Sequence, residues 1–141
     1  MKTLSLATSL LLTIGLLNAE KKPFAPKDFA KGRPFSAAIL SGGTLYVSGQ
    51  VGAKKDGSYP EKFEDEVKQC FDNIDEILKS AGHSMQDLVM VQVFLTDMET
   101  FQRMNDVYVK VVPEPRPTRT TVGVAKLVGK ARIEITVTAR K

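Results

Sequence analysis

The sequence of 141 residues predicts a small α+β domain in which a mixed β-sheet carries two helices on one face. Two long segments place apolar residues three or four positions apart, which is the period of an amphipathic helix. Short segments rich in β-branched and aromatic residues precede, separate and follow them. The resulting order is ββαβαββ, and its length suits one hydrophobic core rather than two.

Residues 1–19 predict a secretory signal peptide. Lys2 supplies a positive start, residues 4–17 are apolar apart from serine, threonine and glycine, and Ala19 places a small residue before a polar segment. The apolar run is shorter than the roughly 20 residues that a transmembrane helix needs. We therefore expect cleavage after Ala19 and export of a mature protein, to the periplasm or the medium, without membrane attachment. An uncleaved membrane anchor is the alternative.

The next segment, residues 20–34, is rich in lysine, proline and alanine and is predicted to be an extended leader. The domain itself is predicted to span residues 35–141. It begins with a β-hairpin whose strands, 35–40 and 44–47, flank a glycine-containing turn, and residues 48–50 close the second strand.

The two helical segments are separated by one buried strand, residues 88–95. The first covers residues 61–81 and ends at Gly82, where a C-cap glycine is expected. The second is predicted to begin at Thr96 or Asp97 and to end near residue 111. The apolar positions form one face of each helix: Phe63, Val67, Phe71, Ile74, Leu78 and Ala81 in the first, and Phe101, Met104, Val107, Tyr108 and Val111 in the second.

Three prolines between residues 113 and 117 predict a stiff loop, because proline continues neither a helix nor a central strand. Two final strands follow, 119–125 and 131–139, separated by a turn at residues 128–130. They complete the ββαβαββ order and contain the two charged residues on which the functional argument depends.

The composition argues against a nucleic-acid partner and against a metal. The formal net charge is only +4, and basic residues are interleaved with acidic ones between Lys54 and Glu76 rather than gathered in a basic and aromatic strip. The single cysteine, Cys70, falls inside the first helical pattern and is predicted to be a packing thiol. With one cysteine and one histidine, the chain has no ligand spacing of the zinc type, and no metal site is expected.

Arg119 and Glu134 are the candidate functional residues. Arg119 opens a strand of threonine, valine, glycine and alanine and has no acidic neighbour in sequence. Its guanidinium can bind a carboxylate through two parallel hydrogen bonds, a geometry that lysine cannot reproduce. Glu134 alternates with two isoleucines, so it lies on the face opposite theirs, where partial burial would let it exchange protons near neutral pH. Alternatively, the two residues form a cross-strand ion pair or are separate exposed charges.

Six segments, in order and at matching spacing between residues 35 and 139, resemble the Rid (reactive intermediate deaminase, YjgF-like) family. Each segment alone is a weak signal, whereas the ordered set identifies the chain as similar to this family. The segments are residues 45–50 (LYVSGQ), 71–74 (FDNI) with 81–82 (AG), 93–98 (VFLTDM), 104–108 (MNDVY), 117–120 (PTRT) and 132–135 (RIEI).

The resemblance implies a chorismate-mutase-like fold and a homotrimer with clefts between its subunits. It also implies hydrolysis of reactive 2-imino or 2-enamino acids to 2-keto acids and ammonia, without a cofactor. Arg119 matches the arginine that binds the substrate carboxylate, and Glu134 the glutamate proposed to manage water, so these two are the predicted catalytic residues. The predicted substrate-binding residues are Arg119, Phe35, Gly49, whose counterpart has its carbonyl near the substrate amino group, and Thr121, at a position of small polar residues or cysteine.

Two features depart from the family pattern. Phe35 stands where the family often has tyrosine, so a hydroxyl that could contact substrate is missing, and the proline-rich loop can reshape the mouth of the cleft. Two other functions are compatible with the resemblance. One is a trimer that binds a small carboxylate without turnover. The other is an endoribonuclease-like activity, against which the small charge excess and the predicted export argue.

Overall fold

A computed structural model describes residues 20–141, so the predicted signal peptide at residues 1–19 lies outside the described residues. In this part of the chain, neither α-helix is long and apolar enough to cross a membrane. The elements are β1 (Lys22–Phe24), β2 (Ala38–Ser41), β3 (Thr44–Val51), α1 (Phe63–Ser80), β4 (Leu88–Leu95), α2 (Phe101–Val111), β5 (Thr118–Gly123) and β6 (Ile133–Arg140). The strands form one mixed sheet in the order β1-β2-β3-β6-β4-β5, in which β5 runs parallel to β4 and the other neighbours are antiparallel.

The predicted ββαβαββ order is confirmed, and one further strand precedes it. β1 lies within the segment predicted to be a leader and pairs with β2, where Pro23 is opposite Ile39. Its three residues show no alternation of apolar and polar side chains. The extended conformation was predicted, but its place as a strand of the sheet depends on pairing with β2 rather than on a local sequence pattern.

Both helices pack on the same face of the sheet and build one hydrophobic core with it. The predicted inner face of α1 is confirmed, since Phe63, Val67 and Ile74 are at most 2% exposed. Alternate residues of the central strands point into this core, and the residues between them face away from the helices. The core residues of the strands are Leu45 and Val47 on β3, Val91, Val93 and Leu95 on β4, and Ile133, Ile135 and Val137 on β6.

The end of α1 follows the predicted capping residue, whereas the start of α2 does not. Gly82 ends α1 with a φ of 72°, a conformation that glycine adopts without steric cost, and its amide donates to the carbonyl of Lys79 at 3.0 Å. Asp97 caps a short 3₁₀ turn rather than α2, because its carboxylate accepts a hydrogen bond from the amide of Glu99 at 2.9 Å. The predicted start of the second helix at Thr96 or Asp97 is therefore wrong by about one turn, since α2 begins at Phe101 after Thr100. A short 3₁₀ turn, Met98–Thr100, lies between this cap and the start of α2.

The last strand does not pair with the strand before it in sequence. β6 lies between β3 and β4, whereas β5 is at the edge of the sheet, on the far side of β4. Val93 of β4 therefore has Thr121 of β5 on one side and Ile135 of β6 on the other. Arg119 and Glu134 consequently lie on strands that β4 separates, which excludes a cross-strand ion pair between them within one chain.

A buried carboxylate joins α1 to the beginning of β6. Glu66 is fully buried and accepts hydrogen bonds from the backbone amide and the Nε of Arg132, at 2.8 and 2.5 Å. The other guanidinium nitrogens donate to the carbonyls of Pro60 and Glu61. Gly52 packs so closely that a Cβ at this position would lie 3.0 Å from the carbonyl carbon of Glu66. The carboxylate is therefore paired and hydrogen-bonded, as a buried charge must be.

Among residues 20–141, nothing covers the face of the sheet away from the helices. Tyr46, Met90 and Val122 on this face are each at least 41% exposed. Glu134 of β6 lies on the same face, opposite Phe94 of the neighbouring strand. We call this surface the open face.

Candidate functional site

The structure places the predicted catalytic residues in two groups on opposite faces of the sheet. Arg119 stands opposite Val91, whose side chain is in the core, so Arg119 and Thr121, two residues further along β5, face the helices. Glu134 alternates with two fully buried isoleucines and lies on the open face, next to Gly49. We call Arg119 and Thr121 the arginine side, and Gly49 and Glu134 the glutamate side.

On the arginine side, aromatic rings rather than an acid hold the guanidinium of Arg119. Its Cζ lies 4.5 Å from the ring centre of Tyr108 and 5.7 Å from that of Phe101, both on α2. Such cation–π contacts contribute about 0.5–2 kcal/mol. Within residues 20–141 the Arg119 side chain has no hydrogen bond and no ion pair. Its planar fork is therefore held in place and free to receive a carboxylate.

Two buried hydroxyl oxygens on this side, Thr121 Oγ1 and Tyr108 Oη, have no hydrogen-bond partner in the described part of the chain. Burial raises the pKa of Tyr108, and the positive charge of Arg119 acts in the opposite direction. Buried polar atoms in folded proteins are nearly always hydrogen-bonded. These hydroxyls, without partners among residues 20–141 and on the same side of the sheet as Arg119, therefore indicate a place where a polar ligand would bind.

Tyr108 is a residue of the site that the sequence did not reveal. The period of α2 predicted it only as an inner-face position, and no local pattern connects it with Arg119 on another element. Its residue type is the signal that could have found it, because a buried tyrosine needs a partner for its hydroxyl.

On the glutamate side, a β-bulge brings Gly49 against Glu134. The register of β3 on β6 shifts between Val47 and Gln50. A Cβ on residue 49 would lie 2.9 Å from Cδ of Glu134, and nearer still to a carboxylate oxygen. Glycine is thus what allows the carboxylate to lie over the backbone here. The Gly49 carbonyl accepts a hydrogen bond from the side-chain amide of Gln50 at 3.0 Å.

Gly49 also borders a cavity of about 440 Å³ between β3, α1 and the segment before β2. Phe35 lies in its wall, 47% exposed, with its ring edge-on to that of Phe29 at 6.2 Å. The guanidinium of Arg33 lies 5.1 Å from the Phe29 ring centre and 5.7 Å from that of Phe35. Phe35 and Gly49, both predicted to bind substrate, thus border the same cavity.

Cys70 is confirmed as a packing thiol. It is fully buried and donates to the carbonyl of Gln50 at 2.6 Å, and burial raises its pKa well above the usual value. A thiol that stays protonated is a poor nucleophile. Among residues 20–141, no group of three or more histidine, cysteine, aspartate or glutamate side chains is arranged to hold a metal ion.

Fold and site together define a class of protein. It is a small α+β domain whose mixed sheet presents towards its helices an arginine without a partner among residues 20–141, and a glutamate on its open face. The arginine can bind a small carboxylate, and the glutamate can orient or deprotonate a water molecule.

Comparison with known proteins shows the family. The family model described as Endoribonuclease L-PSP matches residues 26–141, and the chain belongs to this family, the Rid or YjgF-like family that its motifs resemble. A RutC family protein of Sulfurisphaera tokodaii is 43% identical over 119 residues, which cover 83% of this chain and 93% of that protein. A 2-iminobutanoate/2-iminopropanoate deaminase of Dermatophagoides farinae is 36% identical over 115 residues, which cover 80% of this chain and 88% of that protein.

Solved structures confirm the predicted fold class. A protein of unknown function of the Rid family, from Yersinia pestis, matches with a TM-score of 0.81 at 33% identity, covering 86% of this chain and 100% of that one. E. coli TdcF, solved with bound serine, matches with a TM-score of 0.79 at 28% identity, covering 86% of this chain and 99% of that one. The α+β, chorismate-mutase-like arrangement of a mixed sheet with two helices is therefore confirmed.

Proposed function

We propose that this protein hydrolyses reactive 2-imino acids, and the 2-enamino acids that tautomerise to them, to 2-keto acids and ammonia. The observation that carries the proposal is the Arg119 guanidinium, which two aromatic rings hold without an acidic partner among residues 20–141. Two relatives support this class of ligand. One is named a 2-iminobutanoate/2-iminopropanoate deaminase, and TdcF has been solved with serine, itself a small amino acid.

In this proposal, Arg119 binds the substrate carboxylate through two parallel hydrogen bonds. The hydroxyl of Thr121, which is buried and unpaired in the described chain, donates to the same anion. The imine carbon is bonded directly to this carboxylate, so holding the anion also fixes the carbon that water attacks. Positioning of this kind lowers the barrier without a covalent intermediate.

On the glutamate side, Glu134 holds the attacking water, and the carbonyl of Gly49 accepts a hydrogen bond from the substrate nitrogen. The water oxygen forms a bond to C2 while Glu134 passes one water proton to the nitrogen. The C–N bond of the resulting 2-amino-2-hydroxy acid then breaks. The hydroxyl proton moves to the leaving nitrogen and the C2 carbonyl forms, so one water is consumed and one ammonia is released.

We further propose that the complete site forms between two copies in a homotrimer. In one chain, Arg119 and Glu134 lie on opposite faces of the sheet with β4 between their strands, so one small substrate does not reach both. A neighbouring copy can supply the missing side, as closed symmetric assemblies do. Sedimentation of the mature protein should give a trimer, and a stable monomer with full activity would contradict the shared site.

We also propose that the protein is exported and that residues 1–19 are removed. The support is the order of a basic start, an apolar run and a small residue at these positions. Substrates in that compartment would come from oxidation of amino acids outside the cytoplasm. Mass spectrometry of the exported protein should show a chain that starts at Glu20, whereas a retained Met1 would favour the membrane anchor.

Release of ammonia and keto acid from 2-aminoacrylate and 2-iminobutanoate, generated in situ, tests the proposed reaction. The wild-type protein should accelerate both above the rate in buffer, and Arg119→Ala should lose this acceleration. Arg103→Ala is the matched control, because Arg103 is exposed and pairs with Glu64. No acceleration by the folded wild type would contradict the deaminase and favour a trimer that only binds small carboxylates.

Endoribonuclease activity is the second candidate, and the description of the family favours it. RNA binding depends on basic residues gathered along the phosphate backbone, whereas this chain has a formal charge of only +4. Cleavage of labelled single-stranded RNA by protein that does not accelerate imine hydrolysis would support the ribonuclease. Intact RNA in the same assay would count against it.

A further inference from the structure

We propose that Arg33 is a specificity-determining residue that selects imino acids whose side chain ends in a carboxylate. This inference rests on the proposed deaminase function and names the substrate class of that site. It comes from the cavity of about 440 Å³ that Gly49, Phe35 and Arg33 border together. Arg33 plays no part in the mechanism above, and no sequence motif singled it out.

Two aromatic rings hold Arg33 in the cavity wall. Its guanidinium lies over Phe29 and Phe35, at 5.1 and 5.7 Å from the ring centres. A guanidinium stacked on a ring keeps its N–H groups free at its edge, where a carboxylate binds. Within residues 20–141, its side chain has no hydrogen bond and no acidic partner. This is the arrangement that holds Arg119 on the other side of the proposed site.

The acidic residues around the cavity are already paired. Lys55 lies 2.8 Å from Asp28 and 3.5 Å from Glu76. The hydrogen bond between Lys55 and Asp28 raises the pKa of Lys55 and lowers that of Asp28. Arg33 and Lys54 also border the cavity, so positive charge is in excess there. An anionic group is therefore the ligand that this cavity favours.

The position of the cavity indicates which part of a substrate would enter it. Arg119 takes the carboxylate next to the imine carbon, and Gly49 contacts the nitrogen, so the side chain of the substrate extends into the cavity beside Gly49. Phe35 offers no hydroxyl, so the donor beside it on that wall is Arg33, while Lys55 is paired with Asp28 and Lys54 is a second cation at the border of the cavity. The volume is within the range of small-molecule pockets and leaves room for a side chain that carries its own carboxylate.

Two four-carbon imino acids test this inference, because they differ only at the end of the side chain. 2-Iminosuccinate ends in a carboxylate and 2-iminobutanoate in a methyl group. In the wild-type protein, the ratio of kcat/KM for 2-iminosuccinate over 2-iminobutanoate should exceed one. Arg33→Gln should lower this ratio about tenfold, because the side-chain carboxylate loses one charge-assisted hydrogen bond. Lys31→Gln is the matched control, since Lys31 is exposed and does not border this cavity, and it should leave the ratio unchanged.

Failure of this inference is distinguishable from failure of the deaminase. If 2-iminobutanoate is turned over and the ratio is the same in wild type and Arg33→Gln, the role of Arg33 is wrong and the deaminase stands. If neither imine is accelerated, the deaminase is wrong, and calorimetric titration with the matched keto acids decides the role of Arg33. Tighter binding of oxaloacetate than of 2-oxobutanoate, lost in Arg33→Gln, would support it, and equal binding would overturn it.

Discussion

The variant Gly49→Ala is expected to lower kcat by displacing Glu134 while leaving the stability of the fold nearly unchanged. Residue 49 is not among the glycines with positive φ, so alanine can adopt its backbone conformation. The new Cβ, however, would lie 2.9 Å from Cδ of Glu134 and nearer still to its carboxylate oxygen Oε1. The atoms that the new Cβ would meet belong to the far end of the flexible Glu134 side chain. This side chain therefore has to move, while the strand stays in place.

The two expected effects differ greatly in size. Forcing the Glu134 side chain off a staggered rotamer costs about 0.5–1.5 kcal/mol. Replacing glycine by alanine at a compatible backbone position stabilises by about 0.4–1 kcal/mol through the unfolded chain. These terms nearly cancel, so Tm should change by only about 5 °C or less. A displaced acid–base group, by contrast, lowers kcat by a factor of about 10² to 10⁴.

The assay compares kcat for 2-iminobutanoate and Tm in Gly49→Ala, Glu134→Gln and the double variant. Gly49→Ala should lose at least about 100-fold in kcat, and the double variant should be no slower than Glu134→Gln, because both changes remove the same positioned carboxylate. In the matched control Gly123→Ala, the new Cβ meets Cγ of Met98 at 2.9 Å instead, and kcat should stay near the wild-type value. Losses that add in the double variant, or a fully active Gly49→Ala, would refute the reasoning.

Three further predictions concern stability. Glu66→Gln should lower the free energy of unfolding in urea by about 1–3 kcal/mol, because the buried partner of Arg132 loses its charge. Arg103 lowers the pKa of Glu64 from 4.5 to about 2. The stabilisation by this ion pair is therefore present above pH 4.5 and lost as the pH falls towards 2. Arg103→Gln should consequently make Tm fall less steeply than in wild type between pH 4.5 and 2. Equal slopes in the two proteins would contradict this. Tyr108→Phe keeps the ring under the arginine but removes a buried hydroxyl that has no partner among residues 20–141, so Tm should stay the same or rise. A clear decrease in Tm would show that the hydroxyl has a partner.

Local periodicity was sufficient for α1, for the inner face of α2 and for β4. The apolar, partly alternating run of residues 88–95 predicted the observed bounds of that strand, and its residues 88, 91, 93 and 95 are buried. The inner face of α1 was equally clear, since a helix that packs on a sheet must repeat its apolar residues at the helical period. Gly82 marked the end of α1 because capping chemistry is local, whereas Asp97 marked a 3₁₀ turn before α2 rather than α2 itself.

Contacts between residues distant in sequence were not predictable in this way. Nothing near Glu66 in the sequence shows that it is buried, because its partner is Arg132 at the start of another element. The position of β6 between β3 and β4 is a matter of topology, and it is what separates Arg119 from Glu134. The ring of Tyr108 under the arginine depends on how α2 lies across the edge of the sheet.

The division of the proposed site between two faces of the sheet has a genetic consequence. A chain with Arg119→Ala still carries an intact glutamate side, and a chain with Glu134→Gln still carries an intact arginine side. Each variant alone would be inactive, yet co-expression would produce mixed trimers in which some clefts combine the two intact sides. With random assembly this holds for about a quarter of the clefts. Two loss-of-function alleles would then complement each other, although they affect the same domain of the same protein.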